Sequence, residues 1–177
     1  MKPTTTQGRI WVLVDPGGKL YDDVDTDMIF HNRHLHITQV AEMGQHALGN
    51  LQGWEDFSDR CQPGDIILAG GNFGAGSSRQ QAVDCFRALG ISALIAKSFG
   101  AIYKRNAINS GFPILSLSEL PQLAGECSSG DHLQVNFETG DVVLRGDKTY
   151  QAQPFSLVQM DIYQAGSLFD YGKTLGD

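Results

Sequence analysis

The run from residue 63 to residue 117, where short apolar segments alternate with amphipathic ones, restricts this chain more than any other feature. Pro63-Gly64 introduces residues 65–69 (DIILA) as a strand, which runs straight into Gly70-Gly71-Asn72-Phe73-Gly74-Ala75-Gly76. A helix follows, with Ser77 or Ser78 expected near its N-cap, Ala82, Val83, Phe86 and Leu89 on one face, and Gly90 at its exit. Residues 91–96 (ISALIA) are almost continuously apolar, the pattern of a parallel strand buried on both faces. Ser98 is expected to cap a second helix carrying Phe99, Ile102, Tyr103 and Ala107, which ends near Gly111; residues 112–117 then read as another strand. Strand, helix, strand, helix, strand in that order predicts an α/β fold with a mostly parallel βαβαβ core over residues 63–117.

The flanks read differently. Residues 9–15 (RIWVLVD) form a strand closed by Pro16-Gly17-Gly18, within an N-terminal strand-and-turn segment spanning 7–19. An acidic, His-rich loop occupies 20–37, and Thr38 is expected to cap a short helix reaching about Leu48. Beyond residue 130, β-forming segments 132–137 and 141–145 surround Glu138-Thr139-Gly140 as a hairpin, and a last helix covers 154–165. A length of 177 residues fits one domain, spanning 1–177.

Charge and cysteine content exclude several classes. A formal charge of −7 argues against a nucleic-acid partner, and it requires that any anionic substrate be captured by a few local cations. No apolar run approaches the roughly 20 residues that cross a bilayer. Residues 1–7 are polar and lack the apolar core of a signal peptide, and no Asn-x-Ser/Thr acceptor occurs, so a cytoplasmic location is expected. Cys61, Cys85 and Cys127 are odd in number, widely spaced and without a C-x-x-C pair, which speaks against a disulfide framework and against a self-contained zinc or iron–sulfur site.

Three segments could carry chemistry. Gly74-Ala75-Gly76-Ser77-Ser78-Arg79 lies between a strand and a helix, where glycines let backbone approach a ligand and the open amides of a helix start favour an anion. Arg79 adds a permanent charge shaped for a carboxylate. A Walker loop would need Gly-Lys-Ser/Thr and a dinucleotide fingerprint a glycine at position 79; both fail, and a simple tight turn remains the competing account. Asp23-Val24-Asp25-Thr26-Asp27 resembles an EF-hand start, but that loop requires Gly and Glu where Met28 and His34 stand, leaving either a solvated acidic turn or a site loop. His31, His34 and His36 raise the question of a metal, since His34 and His36 would share one face of an extended segment; without a full ligand set, polar loop histidines are the plainer account.

Taken together, these segments resemble one family. Residues 23–27 resemble its "NVDTD" signature, Asn72-Phe73-Gly74-x-Gly-Ser-Ser-Arg its "NFGCGSSREHA" loop, and Ser98-Phe99 with Arg105-Asn106-Ala107-Ile108-Asn109-x-Gly its "SFARIFxRNAINxG" helix. The family is the small subunit of isopropylmalate isomerase and homoaconitase, equivalent to the C-terminal swivelling domain of aconitase. The match runs in order from about Gly8 to Gly172, and three spaced motifs in sequence are far more specific than any one.

The resemblance implies a three-layer β/β/α swivelling domain. It also implies a hydro-lyase that isomerises a hydroxy di- or tricarboxylate by dehydration and rehydration, such as the 3-isopropylmalate dehydratase of leucine biosynthesis. Within that frame Ser77 is the general base, assisted by Ser78 and by amides near Gly76; Arg79 holds a substrate carboxylate and Asp27 supports the constellation. Arg33, His34, Leu35 and His36 fall in the loop that meets the variable substituent of the substrate. No cofactor is expected on this chain, a [4Fe–4S] cluster being implied in a large subunit that completes the enzyme. Ala75, Gln80, Gln81 and His36 depart from the family letters, and His36 stands where an arginine is frequent. These departures keep two alternatives open: a homoaconitase or related hydro-lyase subunit, and a non-catalytic carboxylate-binding assembly module.

Overall fold

Hydrogen-bond pairing gathers the strands into one seven-stranded sheet of order β4-β3-β2-β1-β5-β6-β7. These elements come from a computed structural model, which describes residues 1–176. In chain order they are β1 (Thr5–Val12), α1 (Thr26–Ile29), α2 (Val40–Met43), α3 (Phe57–Arg60), β2 (Ile66–Ala69), α4 (Gln81–Ala88), β3 (Ala93–Ala96), α5 (Ala101–Asn109) and β4 (Ile114–Ser116). The last third adds α6 (Leu120–Glu126), β5 (His132–Asn136), β6 (Asp141–Leu144), β7 (Lys148–Gln151), α7 (Leu157–Ala165) and α8 (Leu168–Leu175).

Strands β1 to β4 pair in parallel, and β1 also accepts β5 antiparallel along its other edge, with Thr5 opposite Asn136 and Arg9 opposite His132. Burial shows how the two halves meet. Every residue of β2 and β3 is buried, because both faces of the parallel half are covered. In β5 and β6 only alternate residues are buried, so one face is wet. Leu133, Val135, Val142, Leu144 and Tyr150 from the antiparallel half share one core with Ile10, Val12, Ile66, Leu68 and Ile95 from the parallel half. The sheet therefore curls back upon itself to give two β layers. The opposite face of the parallel half, with Trp11, Leu13, Ile67, Ala69, Leu94 and Ala96, packs in a second core with Ala82, Val83, Phe86, Tyr103 and Ala107 of α4 and α5. Three layers, β/β/α, result.

Several local expectations need correction. Neither Thr38, Ser98 nor the serine pair caps a helix. Gln39, Gly100 and Gln80 occupy the N-cap positions of α2, α5 and α4, none with a side-chain cap bond. Ser98 spends its hydroxyl instead on the amide of Asn72, 2.8 Å away, bracing the neighbouring loop. The helix expected after Thr38 is one turn of α2 followed by a 3-10 turn at Gly44–His46. The C-terminal segment holds α6, β7 and α8 beyond the hairpin and final helix. Among the described residues no helix is long and apolar enough to cross a membrane.

Candidate active site

Parallel strands present their C-terminal ends together, and open α/β sheets bind ligands at that edge. Here three loops converge there. The loop after β2 runs beside the one after β3: the Phe73 amide donates to the Ser98 carbonyl at 3.0 Å and the Gly100 amide to the Phe73 carbonyl at 2.9 Å. The acidic segment crosses from the other side. The Gly71 amide donates to the Asp22 carboxylate at 2.6 Å, Gly74 to the Val24 carbonyl at 2.7 Å, and Thr26 to the Ala75 carbonyl at 3.0 Å. Asp23 and Asn72 both adopt the left-handed conformation, φ 55° and 54°, and the Asn72 amide group closes the pair on the Asp23 carboxylate at 2.9 Å. Left-handed backbone is tolerable for Asn and Asp because their short polar side chains bond locally.

Gly74 sits at φ 79° directly over Tyr103; a Cβ there would lie 2.2 Å from the Tyr103 ring. Tyr103 is buried, donates to the Ala82 carbonyl at 3.0 Å, and has its phenol pushed well above the ordinary range by burial. It is the fixed post under the loop. Gly76, at φ 92°, then turns the chain outward so that Gly76, Ser77 and Ser78 are all exposed. Ser77 is pinned from behind, because the Thr26 hydroxyl donates to its carbonyl at 3.0 Å. Its own hydroxyl is left free.

Helix α4 begins at Gln81, three residues later than a serine cap would require. Among the described residues, the backbone N–H groups of residues 77–81 make no hydrogen bond within the chain. A row of open amides ahead of a helix is a cradle for negative charge. Ser78 is held by α5: the Asn106 amide donates to its Oγ at 3.1 Å. Asn106 is itself braced, its carbonyl accepting the Ser110 hydroxyl at 2.8 Å, while the Gln80 amide donates to Ser110 Oγ at 2.7 Å.

Arg79 and Asp27 come together. Arg79 Nη1 donates to Asp27 Oδ1 at 3.0 Å and to the Phe30 carbonyl at 2.6 Å. The arginine side chain is only 12% exposed and the aspartate 41%, so the carboxylate forms the outer member of the pair. Among the described residues no buried polar side-chain atom lacks a partner, so the remaining N–H groups of Arg79 reach solvent and can meet a ligand. Asp27 also accepts from the Asn32 amide at 2.8 Å and from the Asn50 side chain at 3.2 Å. Burial works to raise its carboxyl, but the Arg79 and Asn32 hydrogen bonds outweigh that and hold it below the usual range. Asn50, Thr26 and Asn106 were not given roles from the sequence; Thr26 and Asn106 had a signal, as parts of the first and third motifs, and Asn50 had none.

The loop carrying Arg33, His34, Leu35 and His36 is a 3-10 turn over Asn32–His34, not an extended segment, so His34 and His36 do not share a strand face. His34 instead stacks on His46, ring centroids 3.7 Å apart, with Phe30 at the edge of both. Burial, and after it the neighbouring His46, Arg33, His31 and His36, press the His34 imidazole below its ordinary value; burial, Arg33 and His36 do the same to His46. Arg33, Leu35 and His36 are exposed around this stack, and the Gln81 side chain reaches the Leu35 carbonyl at 3.4 Å.

The thiols do not fit an iron–sulfur cluster. Cys85 is wholly buried, Cys61 packs on the helix-side core and Cys127 on the opposite one. No group of three or more His, Cys, Asp or Glu side chains among the described residues could hold a metal ion.

Comparison with known proteins gives the chain a family. The aconitase C-terminal domain family matches residues 23–120, which takes in all three converging loops. The 3-isopropylmalate dehydratase small subunit of Aquifex aeolicus is 40% identical over 94% of this chain and 94% of its own length. That of Sulfurisphaera tokodaii is 38% identical over 88% and 89%. In three dimensions the chain is similar to a 3-isopropylmalate dehydratase (leuD) from Methanocaldococcus jannaschii, with a TM-score of 0.83 and 34% identity over 97% of this chain and 95% of that one. The chain therefore belongs to the aconitase C-terminal domain family and, within it, groups with the small subunits of 3-isopropylmalate dehydratase.

Proposed function

We propose that this chain is the small subunit of a 3-isopropylmalate dehydratase, isomerising 2- and 3-isopropylmalate in leucine biosynthesis together with a large subunit. In this reading residues 1–177 act as one swivelling domain whose substrate loop spans 20–37. The large subunit holds the [4Fe–4S] cluster, which when bound supplies Lewis acidity toward the substrate hydroxyl and carboxylate. The observation that carries the reading is the exposed Ser77-Ser78 pair, set beside five open amides and the Arg79–Asp27 ion pair at the C-terminal edge of the parallel strands.

The chemistry assigned to these residues follows from electrostatics. A serine hydroxyl is a poor base in water, so removing a proton from carbon requires that its alkoxide be stabilised. Open amides and the positive start of α4 supply part of that stabilisation, and exclusion of water by the partner supplies the rest. Because Asn106 donates to Ser78 Oγ, the Ser78 proton is directed away from α5, toward the ligand side. Arg79 offers its outward N–H groups to a substrate carboxylate while Asp27 fixes the orientation of the guanidinium. Gly76, Arg33, His34, Leu35 and His36 line the approach of the variable substituent.

Reconstitution tests this. Purified chain and its large subunit, combined anaerobically, should turn over isopropylmalate and fail on homocitrate. Preference for homocitrate would make it a homoaconitase subunit. Tight assembly with no turnover of either acid would make it a non-catalytic module.

A further inference from the structure

Away from this edge, the N-terminal segment, the exit of α4 and the corner between α7 and α8 border an open pocket of about 300 Å³. Lys2, Arg87, Thr6, Ser92 and Ser110 give it polar walls; Ile91, Phe112, Phe137 and Tyr163 give it apolar ones. The first residues of a chain usually fray. Here they do not. The Lys2 amide donates to Gln164 Oε1 at 2.7 Å, Gln164 Nε2 returns a bond to the Lys2 carbonyl at 2.9 Å, and the Tyr163 hydroxyl donates to the Pro3 carbonyl at 2.8 Å. The Lys2 ammonium is thereby set 5.0 Å from the Tyr163 ring centroid.

Among the described residues this ammonium makes no ion pair. Asp170 also lies beside Gly166, but its carboxylate is taken by Ser167 at 2.7 Å and Lys173 at 3.1 Å. Arg87 lines the pocket and pairs through Nη1 with Asp84 at 2.8 Å; among the described residues its Nε and Nη2 make no hydrogen bond. Burial first, and then the proximity of Arg87, lower the Lys2 ammonium from its ordinary value. Asp84 balances Arg87 alone, so an anion in this pocket would meet one paired cation and one without a carboxylate partner among the described residues.

We propose that this pocket is a second ligand site, taking a small carboxylate with a short apolar substituent, its charge held by Lys2 and Arg87 and its substituent by Phe112, Ile91 and Tyr163. The volume is at the lower end of small-molecule pockets and suits a ligand of that size. Phosphate would satisfy the cations and leave the aromatic wall unused. The site does not depend on the catalytic reading, because neither Ser77 nor Arg79 lines it.

The test is a titration of the full chain with 3-methylbutanoate, followed by 1H–15N amide shifts. Saturable shifts at Ser92, Ser110, Gly111 and Phe112 are expected, weakening as salt rises. The neutral 3-methylbutanol should produce none of comparable affinity. Lys2→Gln, which leaves the backbone clamp intact, should weaken binding about tenfold or more, as loss of a charge-assisted contact does. Arg79→Gln should leave it unchanged. No saturable shift at about 10 mM ligand, equal affinity for the alcohol, or sensitivity to Arg79→Gln instead of Lys2→Gln would each overturn the site. None of those results would touch the dehydratase reading.

Discussion

Ser77 and Arg79 are neighbours in sequence with opposite situations. One presents an unengaged hydroxyl to solvent; the other lies under a carboxylate that it also orients. Ser77→Ala should therefore lower kcat of the reconstituted enzyme by roughly 10²–10⁴-fold, the usual worth of a positioned acid–base group, while gel filtration shows assembly unchanged. Near-normal turnover would remove Ser77 from the chemistry. Arg79→Lys keeps the charge but loses the planar guanidinium, whose Nη1 serves both Asp27 and Phe30 while its other N–H groups stay open to a carboxylate, so KM should rise with kcat falling as well. The His34–His46 stack gives a pH signature. Both imidazoles titrate below their unfolded value, so the unfolded chain binds more protons and stability rises with pH across that window. The contribution is complete above about pH 6.5 and drains away as pH falls below it. Urea midpoints measured at pH 7.5 and 5.5 should show this loss, and His46→Phe, which keeps the ring stack and drops one charge, should lessen it.

At the level of elements, what the sequence disclosed tracks how the burial is made. Strands β2 and β3 are legible because both faces are covered, which forces continuous apolar letters. The hairpin β5–β6 is legible from its turn residues. Helix α8 has no fully buried residue, and β7 is a short edge strand with one buried side chain. The serine caps misled for a physical reason. Ser77 and Ser98 stand where caps usually do, but their positions follow from the loops: Ser98 braces Asn72 and Ser78 receives Asn106. The site letters 74–79 were readable as a glycine-rich loop and Thr26 lay within a quoted motif, whereas Asn50 reaches Asp27 through a fold of the chain that no local spacing encodes. Gly74 carries the loop's shape. Gly74→Ala would place a methyl against the Tyr103 ring in left-handed backbone, and thermal melting should report a loss of about 1–3 kcal/mol from overpacking alone. A melting point equal to the parent would show that the loop relaxes freely.

For the whole molecule, the curled sheet makes the two halves share one core. Leu133 is buried on β5 and sits in the cluster with Ile10, Ile66 and Ile95 of the parallel half. Leu133→Ala should cost about 2–5 kcal/mol, in the range of buried leucine truncations, and should shift far- and near-ultraviolet transitions together. Separate transitions would mean that the antiparallel half folds by itself. The family resemblance covered this architecture well, since the 34%-identical neighbour shares it over 97% of this chain. Composition alone gave only the class.

The seam that sews residues 22–26 onto 71–75 reaches beyond stability. Backbone bonds cross it repeatedly, so the two strips are held as one piece. In the proposed enzyme, a large subunit closing on this edge then meets a preformed surface, and shelter for the reacting molecule comes from how the two bodies seat together.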